Sequence, residues 1–409
     1  MNTYALIILC TLLAEFFLHL IADILNLRAL NDTVPREFDD VFDTEKYRTS
    51  QQYTRTTTRF GFLTSTIDII ILLLFWFAGG FNVLDTYVRS FHLHFIWSGL
   101  LYVGILILCK SLLTLPFSIY ATFVIEERFG FNKTTPKIFI LDLCKGVLLG
   151  ILLGGPLFAG VLAFFQFAGA NAWLYCWGLT ILFLLTIQFI APTWIMPLFN
   201  TFTPLENSEL RENILSYAKS VNFSLQDVFI MDGSKRSTKS NAFFTGFGKN
   251  KRIALFDTLI ASQSTDELVA ILAHEIGHYK KKHILQGVCI SILHTGIMFF
   301  LLSLFISDEL LFTAFYVEEQ SLYAGMIFFG MLFSPLEYFM NLAMNILSRN
   351  NEFAADAFAK ETTQQPDNLI SALKKLSADN LSNLTPHPFY AVLNYSHPPV
   401  LERIHALRK

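Results

Sequence analysis

Ser264-Thr-Asp-Glu-Leu-Val-Ala-Ile-Leu-Ala-His-Glu-Ile-Gly-His278 is the stretch that decides how this chain is read. Ser264 and Glu267 have the spacing of a capping box, so a helix starts here. Leu268, Ile271 and Leu272 then recur at helical intervals and give it an apolar stripe. Positions four apart share one helix face, so His274 and His278 can offer both imidazoles to a single Zn²⁺. Glu275 sits one step round, near enough to take a proton from a metal-bound water. Lys280, Lys281 and Lys282 fall where cations suit a helix C-terminus. The motif therefore lies in mid-helix, where its spacing has geometric meaning.

The rest of the chain has the composition of a membrane protein. Of 409 residues, 53% are hydrophobic, 15% are charged and 42 are phenylalanine, which argues against an ordinary soluble domain. Seven apolar blocks, roughly 4–25, 60–82, 98–123, 138–165, 171–198, 284–307 and 321–347, are each long enough to cross a hydrocarbon core of about 30 Å as a helix. The first block lacks a positive n-region and a cleavage site and contains Glu15, His19 and Asp23, so it reads as a retained span. All five cysteines fall inside the blocks without a CxxC pair, so neither a disulfide framework nor a thiolate metal site is expected. Segments 26–59, 124–137, 199–283 and 348–409 hold 27 of the 30 Lys and Arg, and the opposite set holds only Arg89. The positive-inside rule makes the first set cytoplasmic and the N-terminus external. The net charge of −3 and the lack of a basic patch give no sign of a nucleic-acid partner.

These readings predict a mainly α, polytopic membrane protein with a small cytoplasmic α+β domain. Residues 1–198 supply five spans, 199–283 the catalytic domain with the motif helix, 284–347 two more spans, and 348–409 a cytoplasmic C-terminal part. Within the insertion, 207–221 reads as helix, and 224–231, 240–247 and 252–256 as strands, with a turn at 248–251. A small sheet followed by such a helix is the layout of zincin peptidases, whose edge strand takes up the substrate backbone. In the tail, 351–360 reads as a short helix directly after the last span, and 367–378 as another.

Two histidines do not complete a catalytic zinc site, which takes three protein ligands and a water. Glu352 on the 351–360 helix is the preferred third ligand, with His283, His387 and His397 as rivals. Asp356, one turn on, is placed to orient a ligating imidazole.

His-Glu-x-x-His, followed after two further spans by Glu352-x-x-x-Asp356, resembles the integral-membrane M48 metalloproteases of the Ste24-type CAAX prenyl protease branch. Met196-Pro-Leu-Phe-Asn-Thr-Phe-Thr-Pro-Leu205, Ser240-Asn-Ala-Phe-Phe-Thr-Gly246, Lys251-Arg-Ile-Ala-Leu-Phe-Asp-Thr-Leu259 and Ser396-His-Pro-Pro399 are similar to that branch in order and spacing, so the likeness spans the chain. It implies His274, His278 and Glu352 as ligands of one Zn²⁺, Glu275 as general base and Asp356 as the group that orients a ligand. It implies that Asn241 and Ala242 lie on the strand holding the scissile peptide. His397 and Arg403 would sit near the site, stabilising the oxyanion or shaping the pocket. The implied fold is a ring of seven transmembrane helices around a large water-filled chamber, capped by the catalytic domain. Glu15, His19, Asp23, Asp68, Lys110, Asp142, Lys145, His294, Glu337, Asn341 and Asn345 would then line the chamber or pair between helices. An ionisable group facing lipid costs several kcal/mol.

The function expected is that of a zinc-dependent membrane endopeptidase of the CAAX prenyl protease kind. Its partners are a peptide or protein substrate, prenylated or membrane-embedded, and the lipid bilayer. Two alternatives stand beside it: a membrane-protein quality-control protease without prenyl specificity, and a non-catalytic translocon-clearing factor. The tail Ala406-Leu407-Arg408-Lys409 lacks a dilysine pattern and favours a bacterial inner membrane over the ER. A transporter is disfavoured, since no paired Gly/Pro-broken segments occur in matching halves.

Overall fold

The computed structural model describes residues 1–206, 208–225, 227–245 and 252–409; the turn expected at 248–251 and the end of the 240–247 strand lie outside the described residues. Among the described residues, seven helices are long and apolar enough to span a membrane: Thr3–Ala29, Thr44–Phe77, Phe95–Glu126, Pro136–Phe167, Gly169–Phe199, His283–Phe305 and Leu322–Thr363. Helices are the form expected of these blocks, because a lipid-facing backbone must satisfy its own hydrogen bonds. Several begin at side-chain caps, with Asn2 accepting from the Ala5 N–H, Asp43 from Lys46 and Ser321 from Ala324. The Asp43 cap starts the second helix well before its apolar block at 60.

One expectation is corrected. The helix foreseen at 351–360 is not separate, because the last span runs unbroken from Leu322 to Thr363, 42 residues, and ends only where Gln364 turns left-handed at φ 54°. The sequence reading stopped the span where the apolar run stopped. Good helix formers without Gly or Pro carry the backbone on past that point.

Among the described residues, the soluble part holds a four-stranded sheet of β1 (Phe202–Pro204), β2 (Asp227–Met231), β3 (Ala242–Thr245) and β4 (Arg252–Phe256), in the order β1-β2-β4-β3. β2 and β4 are parallel, with Val228 opposite Ile253, and the other pairs are antiparallel. β1 was not foreseen; it is short and ends in proline, which is tolerated because it lies at an edge. The opposite edge is β3. The motif helix, Thr265–Lys280, follows with its capping box formed as expected.

Ile214, Leu255, Leu272, Leu373 and Ile404 share one buried core with Phe38 and Phe42 from the loop between the first two spans and Tyr47 from the first turn of the second. That loop thus packs under the sheet and helices instead of trailing in solvent. A second core of Trp76, Tyr102, Phe312, Phe315 and Phe328 occupies the opposite end of the spanning helices.

Candidate metal centre and active site

The site is made by the close approach of two helices. A Cβ on Gly277 would lie 3.1 Å from both the Cα and the carbonyl oxygen of Ala355, so only glycine lets the motif helix approach the long helix this closely. Glu352 and Asp356, one turn apart on that long helix, thereby come to face the two histidines.

The Nε2 atoms of His274 and His278 are 3.1 Å apart. Oε2 of Glu352 lies 3.3 Å from His274 Nε2, and Oε1 lies 3.3 Å from His278 Nε2. One donor atom from each of the three residues falls within 4.8 Å of the others. Two imidazole nitrogens and a carboxylate oxygen aimed at one point form a three-ligand set for a divalent cation. Glu352 is 4% exposed, yet its Oε2 has no hydrogen-bond partner among the described residues. Its contacts are the ion pairs with His274 and Arg403, so it is the donor set itself, two imidazoles and a carboxylate within 4.8 Å of one another, that fits a metal. Burial alone would drive a proton off His274, but hydrogen bonds to the Asp356 and Glu352 carboxylates outweigh it and raise the imidazole pKa to about 9. The same field favours positive charge at the point where the ligands meet.

Behind the trio, His274 Nδ1 is 2.8 Å from Asp356 Oδ1. Arg403 grips Asp356 with two hydrogen bonds, and its Nη1 lies 3.3 Å from Glu352 Oε2. These contacts fix the ring of His274 with Nε2 pointing forward. His278 is held by another imidazole, as His283 Nδ1 lies 3.0 Å from His278 Nδ1. His283, a rival ligand by sequence, thus touches His278 from behind, a contact its spacing does not announce. Its signal was faint, since a five-residue offset suggests a different face until the chain turns at Lys282 (φ 63°). His387, another rival, accepts from the Phe389 N–H and caps a short helix. His397 reaches the trio from the other side, with Nε2 3.3 Å from Glu352 Oε1 and a side chain 65% exposed.

Glu275 lies beside the ligands, and burial raises its pKa above the ordinary carboxylate value, against the pull of His274 and His278. Asn241, Ala242, His274, Glu275, His278, His283, Glu352, His397 and Arg403 line one cavity of about 700 Å³, while Asp356 is buried behind His274 and His387 is not part of the lining. Asn241 and Ala242 bring the β3 edge to its wall. The start of β3, unpaired on one side among the described residues, thus shares a cavity with the metal trio.

The charged residues within spans divide as the two readings allowed. Glu15, His19, Asp23, Asp68 and Lys110 line a separate cavity of about 560 Å³ among the first three spans, and Lys110 pairs with Asp68 at 2.6 Å. Asp142 pairs with Arg236, His294 with Glu337, and Asn345 donates to the Leu393 carbonyl.

Known proteins resemble the chain along its whole length. Residues 23–201 match the family described as CAAX prenyl protease N-terminal, five membrane helices, and residues 204–409 match peptidase family M48. A CAAX prenyl protease 1 homolog of Oryza sativa subsp. japonica is 37% identical, over 98% of this chain and 96% of that protein. CAAX prenyl protease 1 of Saccharomyces cerevisiae is 36% identical over 91% and 88%, and the Homo sapiens homolog 34% identical over 92% and 88%. The crystal structure of S. mikatae Ste24p superposes with a TM-score of 0.94 at 34% identity, covering all of both chains. With that likeness, the architecture is seven spanning helices around a large chamber, with the small sheet and motif helix set against one end.

Proposed function

This chain belongs to peptidase family M48 and is an integral-membrane metalloendopeptidase, and from that premise we propose a zinc enzyme in which His274, His278 and Glu352 hold the ion and Glu275 moves the proton. The convergence of those three donors within 4.8 Å carries the reading. Bound there, zinc would supply an activated water and polarise the scissile carbonyl.

The protein's own residues do the rest. A substrate joins β3 as an added strand beside Asn241 and Ala242, so backbone hydrogen bonds fix its register. Glu275, its pKa raised by burial, is poised to accept a proton and return it to the leaving amine. Asp356 and Arg403 hold His274 in one tautomer and orientation. His397, exposed at the cavity mouth, is placed to donate to the developing oxyanion.

The substrate proposed is a peptide prenylated near its C-terminus, since the relatives named above are CAAX prenyl proteases. The distribution of Lys and Arg supports a catalytic side facing the cytoplasm, with 199–283 and 348–409 together forming the catalytic part. Purified protein assayed with two peptides of one sequence, prenylated and unprenylated, tests this directly. Preferential cleavage of the prenylated peptide, lost with a chelator and restored by zinc, is the expected result. Equal cleavage of both would move the function to membrane-protein quality control. Stoichiometric zinc without cleavage of any peptide would refute the enzymatic role.

A further inference from the structure

Strand β3 must keep one side open to receive a substrate, so its pairing with β4 cannot be all that places it. A strand at the edge of a sheet is weakly held by itself. The residues just before it, 236–240, are fastened from two directions. Lys239 Nζ donates to Tyr53 OH at 2.8 Å and lies 2.9 Å from Glu126 Oε2, while Tyr53 OH donates to Glu126 Oε1 at 2.5 Å. The same ammonium stands 4.4 Å from the Phe131 ring centroid and 5.1 Å from that of Tyr53, a double cation–π contact. Tyr53 belongs to the second spanning helix, Glu126 ends the third, and Phe131 lies in the loop to the fourth.

The neighbouring backbone is tied to that loop as well. The Lys133 N–H donates to the Arg236 carbonyl at 3.0 Å, and the Thr238 N–H to the Phe131 carbonyl at 3.1 Å. The Arg236 guanidinium forks onto Asp142 of the fourth span at 2.8 and 2.9 Å. From the C-terminal side, the Asn380 side chain accepts from the Ser240 N–H at 3.1 Å and donates to the Ser240 carbonyl at 3.3 Å, as a neighbouring strand would. Lys239 does not line the catalytic cavity. The partners of its ammonium are all in the membrane helices and their loop.

We propose that Lys239 is a positioning residue: through Glu126 and Tyr53 it fastens the substrate-bearing strand to the membrane helices and sets where a bound peptide lies relative to His274, His278 and Glu352. The second and third spans thus act on register at the metal centre without touching it. The kinetic consequence rests on the metallopeptidase reading above; the positional one does not.

The test uses full-length protein in detergent, with Lys239→Met, Lys239→Arg and Glu126→Gln. In Lys239→Met, backbone amides of 240–245 exchange with deuterium at least roughly tenfold faster, while those of the motif helix stay unchanged. Turnover per metal-loaded site falls roughly tenfold with KM within about twofold, because a strand displaced by a fraction of an ångström misaligns the scissile bond without abolishing pairing. Lys239→Arg restores most of both. Combining Lys239→Met with Glu126→Gln adds little to either alone, since both break one contact. If Lys239→Met does not fold, the Glu126→Gln exchange pattern decides in its place. Unchanged exchange at 240–245 in the variants overturns the proposal. A wild-type protein that cleaves no peptide would refute the peptidase reading, while the exchange data would still decide on the clamp.

Discussion

Arg403 holds Asp356 through two hydrogen bonds, Nε to Oδ2 at 2.8 Å and Nη2 to Oδ1 at 2.6 Å. Both residues are buried, and Asp356 in turn meets the Nδ1 of His274. The planar fork matches a carboxylate as a lysine ammonium cannot. Arg403→Lys and Asp356→Asn are therefore expected to weaken metal affinity by about 10–100-fold, the usual cost of losing a group that orients a ligand. Competition against a graded set of chelators measures it. Wild-type affinity in both variants would mean that His274 needs no such support.

Glu275→Gln separates binding from chemistry. The amide is nearly isosteric and touches no ligand, so metal content stays at one ion per chain. Turnover drops by at least about 10²–10⁴-fold, because the proton acceptor is gone. Metal analysis and peptide cleavage on one preparation give both numbers. A variant with full activity would remove Glu275 from the mechanism.

Gly277→Ala tests the close approach of the two helices. The new methyl would meet Ala355 backbone at 3.1 Å, and backbone cannot swing aside as a side chain can. The helices must separate slightly, at a cost of about 1–3 kcal/mol for overpacking. Because Glu352 rides on the displaced helix, metal affinity falls together with thermal stability. Loss of stability with unchanged affinity would show that the trio does not depend on this contact.

Glu267 gives a pH signature away from the metal. Burial pushes its pKa up, but the Lys375 ion pair at 2.7 Å, the Ser371 hydroxyl and the Ser264 N–H outweigh it and hold the carboxyl below its ordinary 4.5. A depressed folded pKa contributes stability above the unfolded value and loses it as pH falls through the folded one. The thermal midpoint of the wild type is thus expected to fall more steeply below pH 4.5 than that of Glu267→Gln, which keeps a capping side chain but cannot titrate. Identical pH slopes would remove Glu267 from the acid response.

Much of the centre was legible in the sequence because it is local. The capping box, the apolar stripe and the four-residue histidine spacing all act within one helix. Glu352 and Asp356 were legible for the same reason, one turn apart on a helix whose existence was foreseen, though its continuity with the last span was not. What escaped reading depends on contacts between distant segments. Gly277 reads as a weak helix residue until Ala355 is seen against it. His283 reads as a misplaced rival until the turn at Lys282 swings it under His278. Phe38, Phe42 and Tyr47 sit in a polar, charged stretch, and nothing in their spacing says that they fill the catalytic core. Lys239 carries no motif at all, and its role is visible only from Glu126, Tyr53 and Phe131.

Zinc-edge X-ray absorption on the purified full-length protein, compared with Glu352→Ala, tests the central claim most directly. The account predicts one ion with two imidazole nitrogens at about 2.0–2.1 Å and a carboxylate oxygen at about 2.0–2.2 Å, the last missing from the variant. An unchanged coordination shell in Glu352→Ala would contradict it.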